Sequence, residues 1–145
     1  MKRLQSAGYL MNHIARQFAI LLHEGLKPLG ISPAQFPILL SLWETDGLSQ
    51  NELVEIADVA QATIANTLAR MERDGLIERR ENPKDARSRL IFLTDHAKAL
   101  QASATHIAQN INMGALSVLD DEEKHAFLLM LNKVLAKQKE MIQKG

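Results

Sequence analysis

The chain's 145 residues are enough for one domain of ordinary size, or for two small modules sharing a core. A hydrophobic content of 46% argues against wholesale disorder, and no apolar run is long enough to cross a bilayer. Net charge is zero and cysteine is absent, which removes disulfides, thiolate metal sites, a cysteine nucleophile and thiol redox sensing together.

The stretch Met1 to Leu10 lacks an apolar signal core followed by small residues, so a cytoplasmic location is expected. Zero net charge argues at first against a nucleic-acid partner, but the charges are unevenly spread. Residues 1–30 carry +3, residues 31–60 carry −5, residues 61–93 carry +2 and the remainder balances. The short stretch Asn82 to Arg89 alone carries +2. A local basic protrusion still meets phosphates, because distant acids are screened beyond about 8 Å at physiological salt.

In chain order, residues 4–26 predict a helix with two apolar stripes, Leu10, Ile14, Phe18 and Leu21 beside Met11, Ala15, Ala19 and Leu22. So much apolar surface needs cover on two sides. Lys27-Pro28-Leu29-Gly30 ends it. Three later starts carry capping chemistry: Ser32 with Pro33 and Gln35, Ser49 with Glu52, and Asp120 with Glu123. They predict helices over 33–45, 50–57 and 121–141. Thr94 caps a further helix over 95–118, with Leu100, Ala104, Ile107, Ile111 and Val118 on one face.

Between them, Asp58-Val59-Ala60 reads as a turn, and 61–73 as a helix with Ile64, Leu68 and Met71 inward. Asp74-Gly75 stops that helix, glycine supplying the left-handed backbone. Residues 76–81 and 90–93 read as short strands, flanking the polar loop Asn82-Pro83-Lys84-Asp85-Ala86-Arg87-Ser88-Arg89. Helix, turn, helix, strand, charged loop, strand is the order of a winged helix-turn-helix. The fold class expected is mostly α with a small β-hairpin wing, plus a helical dimerisation region.

The outward face of helix 61–73 carries Ala62, Asn66, Ala69, Arg70 and Arg73, with Thr63 and Ala65 at its flanks. Small or polar leading side chains let a helix enter the major groove, and Gln61 and Asn66 suit adenine edges. Arg70 and Arg73 are better placed for phosphates. Taken alone, this face reads equally well as solvated helix surface; the wing tips the balance. Asp85 and Arg87, two apart, are expected on one side of an extended tip, the carboxylate orienting the guanidinium for a narrow minor groove. Lys84 and Arg89 add phosphate contacts. A bare D-x-R is a weak signal, strengthened here by its place between two strands after a helix-turn-helix.

These residues carry a resemblance to the MarR-type (multiple antibiotic resistance regulator) transcription factors, from about Arg16 to Leu135. It includes Leu29-Gly30-Ile31-Ser32-Pro33-Ala34-Gln35-Phe36, then Gly47-Leu48-Ser49-Gln50-Asn51-Glu52-Leu53 and Ala62-Thr63-Ile64. Met71-Glu72-Arg73-Asp74-Gly75-Leu76-Ile77, Asn82-Pro83-Lys84-Asp85-Ala86-Arg87, Leu93-Thr94 and Leu119-Asp120-Asp121-Glu122-Glu123 complete it.

The resemblance implies a homodimer on double-stranded DNA, with residues 1–30 and 95–145 as a helical dimerisation region. Residues 31–94 form the winged head, intertwined with it as one domain. It further implies repression at a pseudo-palindromic operator, relieved by a small-molecule effector in a cleft between head and dimerisation part. A small apolar or aromatic acid is the effector class expected, lined by His13, Arg16 and Trp43. His13 and Arg16 also read as exposed or dimer-base residues, and Trp43 as core. Ala86 stands where a second arginine is common, Asn66 where a basic or hydroxyl residue is usual, and Ala97 where glycine is often seen.

No metal or cofactor is expected. The histidines at 13, 23, 96, 106 and 125 include no pair three or four apart, so no helix supplies a ready ligand pair. No G-x-S-x-G, phosphate-cradling glycine-rich loop or pair of carboxylates on adjoining strands appears, and Asp120 to Glu123 is a helix start, so no catalytic residue is assigned and no enzyme is expected. The alternative, a helical module whose wing binds a protein, has no need of the Lys84, Asp85, Arg87 and Arg89 cluster.

Overall fold

The computed structural model describes residues 1–57 and 59–144; of the expected turn at 58–60, Asp58 lies outside the described residues. The elements are α1 (Ala7–Leu26), α2 (Phe36–Glu44), β1 (Leu48–Ser49), α3 (Gln50–Ala57), α4 (Gln61–Arg73), β2 (Ile77–Glu81), β3 (Arg89–Leu93), α5 (Asp95–Ala115) and α6 (Asp121–Lys144). Short 3-10 turns at Arg3–Gln5 and Lys27–Leu29 flank α1. None of the helices described is long and apolar enough to cross a membrane.

Of the three capping pairs expected, Ser49–Glu52 and Asp120–Glu123 form as their spacing predicts, whereas Ser32 does not cap α2, whose start carries no side-chain cap. Ser49 Oγ accepts from Glu52 N at 3.1 Å while Glu52 Oε1 accepts from Ser49 N at 3.0 Å. Asp120 and Glu123 make the same reciprocal pair at 2.8 and 3.0 Å. Thr94 Oγ1 accepts from Ala97 N at 3.2 Å and donates to the Gly75 carbonyl at 2.6 Å, so it caps α5 and clasps the end of α4.

Helix boundaries differ from expectation in five places. Helix α2 stops at Glu44 and α6 runs on to Lys144. The start of α1 moves to Ala7, because Ser6 Oγ accepts from Tyr9 N. The start of α2 moves from 33 to Phe36: Pro37 has no N–H, so the Pro33 carbonyl has no donor four residues on. Gln35 still accepts from Ser32 N at 3.1 Å. The end of α5 moves to Ala115, where the Gly114 carbonyl is taken by both the backbone and hydroxyl of Ser117.

The chain forms two compact units, residues 1–108 and the remainder from Gln109. In the first, Ile38, Leu39, Leu42, Leu53, Leu68 and Ile91 are essentially fully buried and tie α2, α3, α4 and the sheet together. Each such side chain is worth about 1.5–3 kcal/mol of burial. Ala97 is also wholly buried, where a glycine would leave space. The antiparallel sheet has the order β1-β3-β2, pairing Ile77 with Leu93 and Glu81 with Arg89. Its third strand, β1, is an addition to the expected hairpin: Leu48 pairs with Ile91.

The loop before β1 locks the wing to the head. Asp46 Oδ1 accepts from Leu93 N at 2.9 Å and Gly47 N at 3.1 Å, and Gly47 N also reaches the Ile91 carbonyl. Gly47 has φ +75° and sits under Phe92, where a Cβ would lie 2.8 Å from the ring. On that outer sheet face Arg80 pairs with Glu78 and stacks 4.2 Å from the Phe92 centroid.

Two helices leave most of their apolar surface uncovered in the single chain. On α1 only Leu26 is buried, while Ile14, Ile20 and Leu21 are exposed. In the second unit α6 buries none of its residues, and Leu128, Leu129, Val134 and Leu135 remain exposed.

Candidate nucleic-acid interface

Helix α4 is fastened by one face and offers the other. Ile64, Thr67, Leu68 and Met71 are buried, Thr67 because its hydroxyl donates to the Thr63 carbonyl at 3.0 Å. Gln61, Ala62, Thr63, Ala65, Asn66, Arg70 and Arg73 are all exposed, so every recognition-helix candidate is accessible. The helix ends as expected at Gly75, φ +74°, with Leu76 N bonded to the Met71 carbonyl and Gly75 N to that of Glu72.

Side chains around α4 set its attitude. Gln61 Nε2 donates to Asn51 Oδ1 at 3.1 Å, joining the starts of α3 and α4. At the far end, Asp74 accepts from Arg73 Nε at 3.1 Å and from the buried Gln35 at 3.2 Å. The Arg73 hydrogen bond, with help from Gln35 and the charges of Arg73 and Arg70, holds the Asp74 carboxyl below its ordinary value against a small desolvation cost. Arg73 thus has an internal partner, although its side chain remains 70% exposed.

The wing tip is built differently from the extended loop the sequence predicts. Asp85 N bonds to the Asn82 carbonyl and Ser88 N to the Asp85 carbonyl, giving two consecutive tight turns. Asn82 Oδ1 accepts from Lys84 N at 3.0 Å, and Asp85 Oδ1 accepts from Arg87 N at 3.0 Å. The Asp85–Arg87 ion pair is present at 3.4 Å, yet it comes from an Asx turn and not from strand alternation. Arg87 is 93% exposed at the tip, and Lys84 and Arg89 are exposed beside it.

A cleft of about 400 Å³ lies between the start of α3 and the wing, with Ser49 to Asn51 on one side and Arg79, Arg87 and Arg89 on the other. Sequence reasoning passed over Asn51 and Arg79. Arg79 was within reach: the two-residue period from Ile77 puts it on the inward face of β2. Its Nε is buried, 3.7 Å from Glu72 Oε1 and without a hydrogen bond among the described residues. Asn51 carried no signal, since only the packing of α3 on α4 brings it to Gln61.

The three effector-pocket candidates sit apart in their contacts. Trp43 donates its indole N–H to the Ala97 carbonyl at 3.1 Å and meets Phe36 edge-on at 6.2 Å. His13 lies 5.9 Å from Tyr9 and within 3.2 Å of Gln17 on exposed α1, where Arg16 is exposed too. No hydrogen bond or ring contact joins Trp43 to His13 or Arg16 among the described residues. Nor do those residues hold any group of three His, Asp or Glu that suits a metal ion.

The arrangement of α4, wing and clasping loop has a counterpart in known proteins. The MarR family model matches residues 31–88, the whole of the helix-turn-helix and wing tip. The transcriptional regulator HosA of Escherichia coli O111:H- is 30% identical over 105 residues, covering 72% of this chain and 78% of that protein. The chain belongs to the MarR family. Solved members of the family are similar in fold as well. A MarR transcriptional regulator from Methanosarcina mazei Go1 superposes with TM-score 0.87 at 25% identity, over 92% of this chain and 96% of that one. A mutant MarR from E. coli, complexed with operator DNA, gives TM-score 0.82 at 29% identity over 88% and 92%. As a MarR-family protein the chain is a DNA-binding transcriptional regulator, not an enzyme.

Proposed function

We propose that this protein is a cytoplasmic, homodimeric repressor that reads a pseudo-palindromic operator and leaves it when a small apolar or aromatic acid binds. The observation that carries the DNA mode is Arg87, 93% exposed at the wing tip yet oriented by Asp85, on the same head as the open face of α4. In this reading Gln61 and Asn66 meet base edges in the major groove, while Ala62, Thr63 and Ala65 keep the helix slim enough to enter. Arg70, Arg73, Lys84 and Arg89 hold phosphates, and Arg87 enters the adjacent minor groove.

Support for the dimer is the uncovered apolar surface of α1 and α6. Residues 1–30 and 95–145 supply that interface, and residues 31–94 the DNA-reading head. Two-fold symmetry places the half-sites about one helical turn, roughly 10 bp, apart. The effector reading rests on family membership and on a MarR-fold neighbour from Streptomyces coelicolor, PcaV, solved in complex with its natural ligand. His13, Arg16 and Trp43 are the residues assigned to the effector.

The test is selection of bound sequences from random duplex DNA at fixed salt, with sedimentation of the free protein. A symmetric selected site and a dimer at micromolar concentration are expected. A site without internal symmetry, or a folded monomer at that concentration, counts against the proposal.

A further inference from the structure

The first turn of α4 has no side-chain cap of its own, because Ala60 stands at the N-cap. Its leading residue is held from across the helix-turn-helix, where Gln61 Nε2 donates to Asn51 Oδ1 at 3.1 Å. Asn51 is the second residue of α3, and the Ser49–Glu52 pair beside it fixes the backbone that carries it. Both amides are exposed on the surface where α3 and α4 begin.

We propose that Asn51 is a positioning residue for base recognition: it engages one N–H of Gln61 and so presents the rest of that carboxamide to an adenine edge. This deepens the DNA-reading function proposed above and rests on it. A carboxamide has two N–H donors and one acceptor oxygen. With one donor held by Asn51, the other donor and Oε1 remain, and adenine offers N7 as acceptor and N6 as donor in the major groove. An unrestrained exposed glutamine would have to be frozen on binding, which costs about 2- to 13-fold in affinity per side chain. Asn51 removes that cost for the matched base pair, so its effect appears in discrimination.

The Asn51→Asp substitution separates positioning from direct contact. The introduced carboxylate would still accept from Gln61, but the amide donor would be lost and a negative charge would face DNA. The measurement is the ratio of Kd values on the selected operator and on a duplex in which the A·T pair read by Gln61 is replaced by G·C. That pair is located as the one at which Gln61→Ala loses its preference.

The unaltered protein is expected to discriminate about 5- to 150-fold there. Asn51→Ala is expected to lower the ratio by about 2- to 13-fold. Asn51→Asp is expected to keep the ratio while weakening binding to both duplexes. Urea unfolding midpoints of both variants should match the parent, as the site is exposed.

An unchanged ratio in Asn51→Ala overturns the inference alone, and so does an equal loss of ratio in Asn51→Asp. A Gln61→Ala protein that keeps its preference at every position overturns it as well. An unaltered protein that selects no sequence overturns the DNA-reading function and this inference together.

Discussion

Asp85 offers a test in which net charge and geometry pull in opposite directions. Its Oδ1 accepts from Arg87 N at 3.0 Å and lies 3.4 Å from Arg87 Nε, so one oxygen holds both the turn and the guanidinium. Exposed as the pair is, it adds little to folding stability. In the proposed binding mode its effect is on the pose in which Arg87 would meet DNA. Removing a carboxylate about 10 Å from a phosphate should strengthen binding by no more than about twofold, since Coulomb energy in water is small and screened. Releasing Arg87 from its orienting partner should weaken binding by about 2- to 13-fold per head. Asp85→Ala is therefore expected to bind the operator more weakly despite its extra positive charge.

Asp85→Asn isolates the cause, because its amide oxygen can still accept from Arg87 N and keep the turn. That variant should lie between parent and Asp85→Ala. The assay is fluorescence anisotropy with operator and random duplex across a salt series, at one protein concentration. Tighter operator binding by Asp85→Ala would refute the orienting role and leave net charge as the explanation.

Five further outcomes are expected. Arg87→Ala should weaken binding on many sequences and lower the salt slope by about one ion per head, whereas Asn66→Ala should cost about 1–3 kcal/mol on the operator and much less on random DNA; equal losses on both DNAs would make Asn66 a positioning contact. Arg16→Ala should blunt release of the operator by small aromatic acids in a ligand titration, and an unaltered response removes Arg16 from the effector site. Gly47→Ala should destabilise by about 1–2 kcal/mol for its left-handed backbone, plus about 1–3 kcal/mol for displacing Phe92. In a Phe92→Ala background only the first part should survive, as read by urea unfolding at fixed protomer concentration. Asp74, with its folded pKa lowered below the ordinary value of 3.8, contributes stability that is fully present above that value and is lost as pH falls through the folded value; Asp74→Asn should flatten the fall in stability over that acid range.

The features legible in the sequence are those whose partners lie within one turn of chain. Ser49 with Glu52, Asp120 with Glu123, Thr94 with Ala97 and Asp85 with Arg87 each span two or three residues, so local backbone geometry suffices to pair them. Gly75 is legible for the same reason, since a left-handed stop follows from a helix ending where no Cβ intervenes. Even locally, the extended wing tip expected from the sequence is not the one formed, because Asn82 and Asp85 compete for the backbone through their own side chains and bend the tip into turns.

Other contacts depend on closing long loops, and nothing in the local pattern specifies which residues will meet. Asp46 reaches Leu93 across 47 residues, Gln35 reaches Asp74 across 39, and Asn51 meets Gln61 only because Leu53, Ile64 and Leu68 pack α3 and α4 into one core. The strand β1 belongs to this class too: two residues are too few to show a period, and they become a strand because β3 has a free edge beside them. Capping and turn chemistry written in the sequence therefore determine where α1, α3, α5 and α6 start and how the wing tip bends. Burial of the shared core decides which distant polar groups are brought within hydrogen-bond reach, and with them how Gln61 and the wing are aimed.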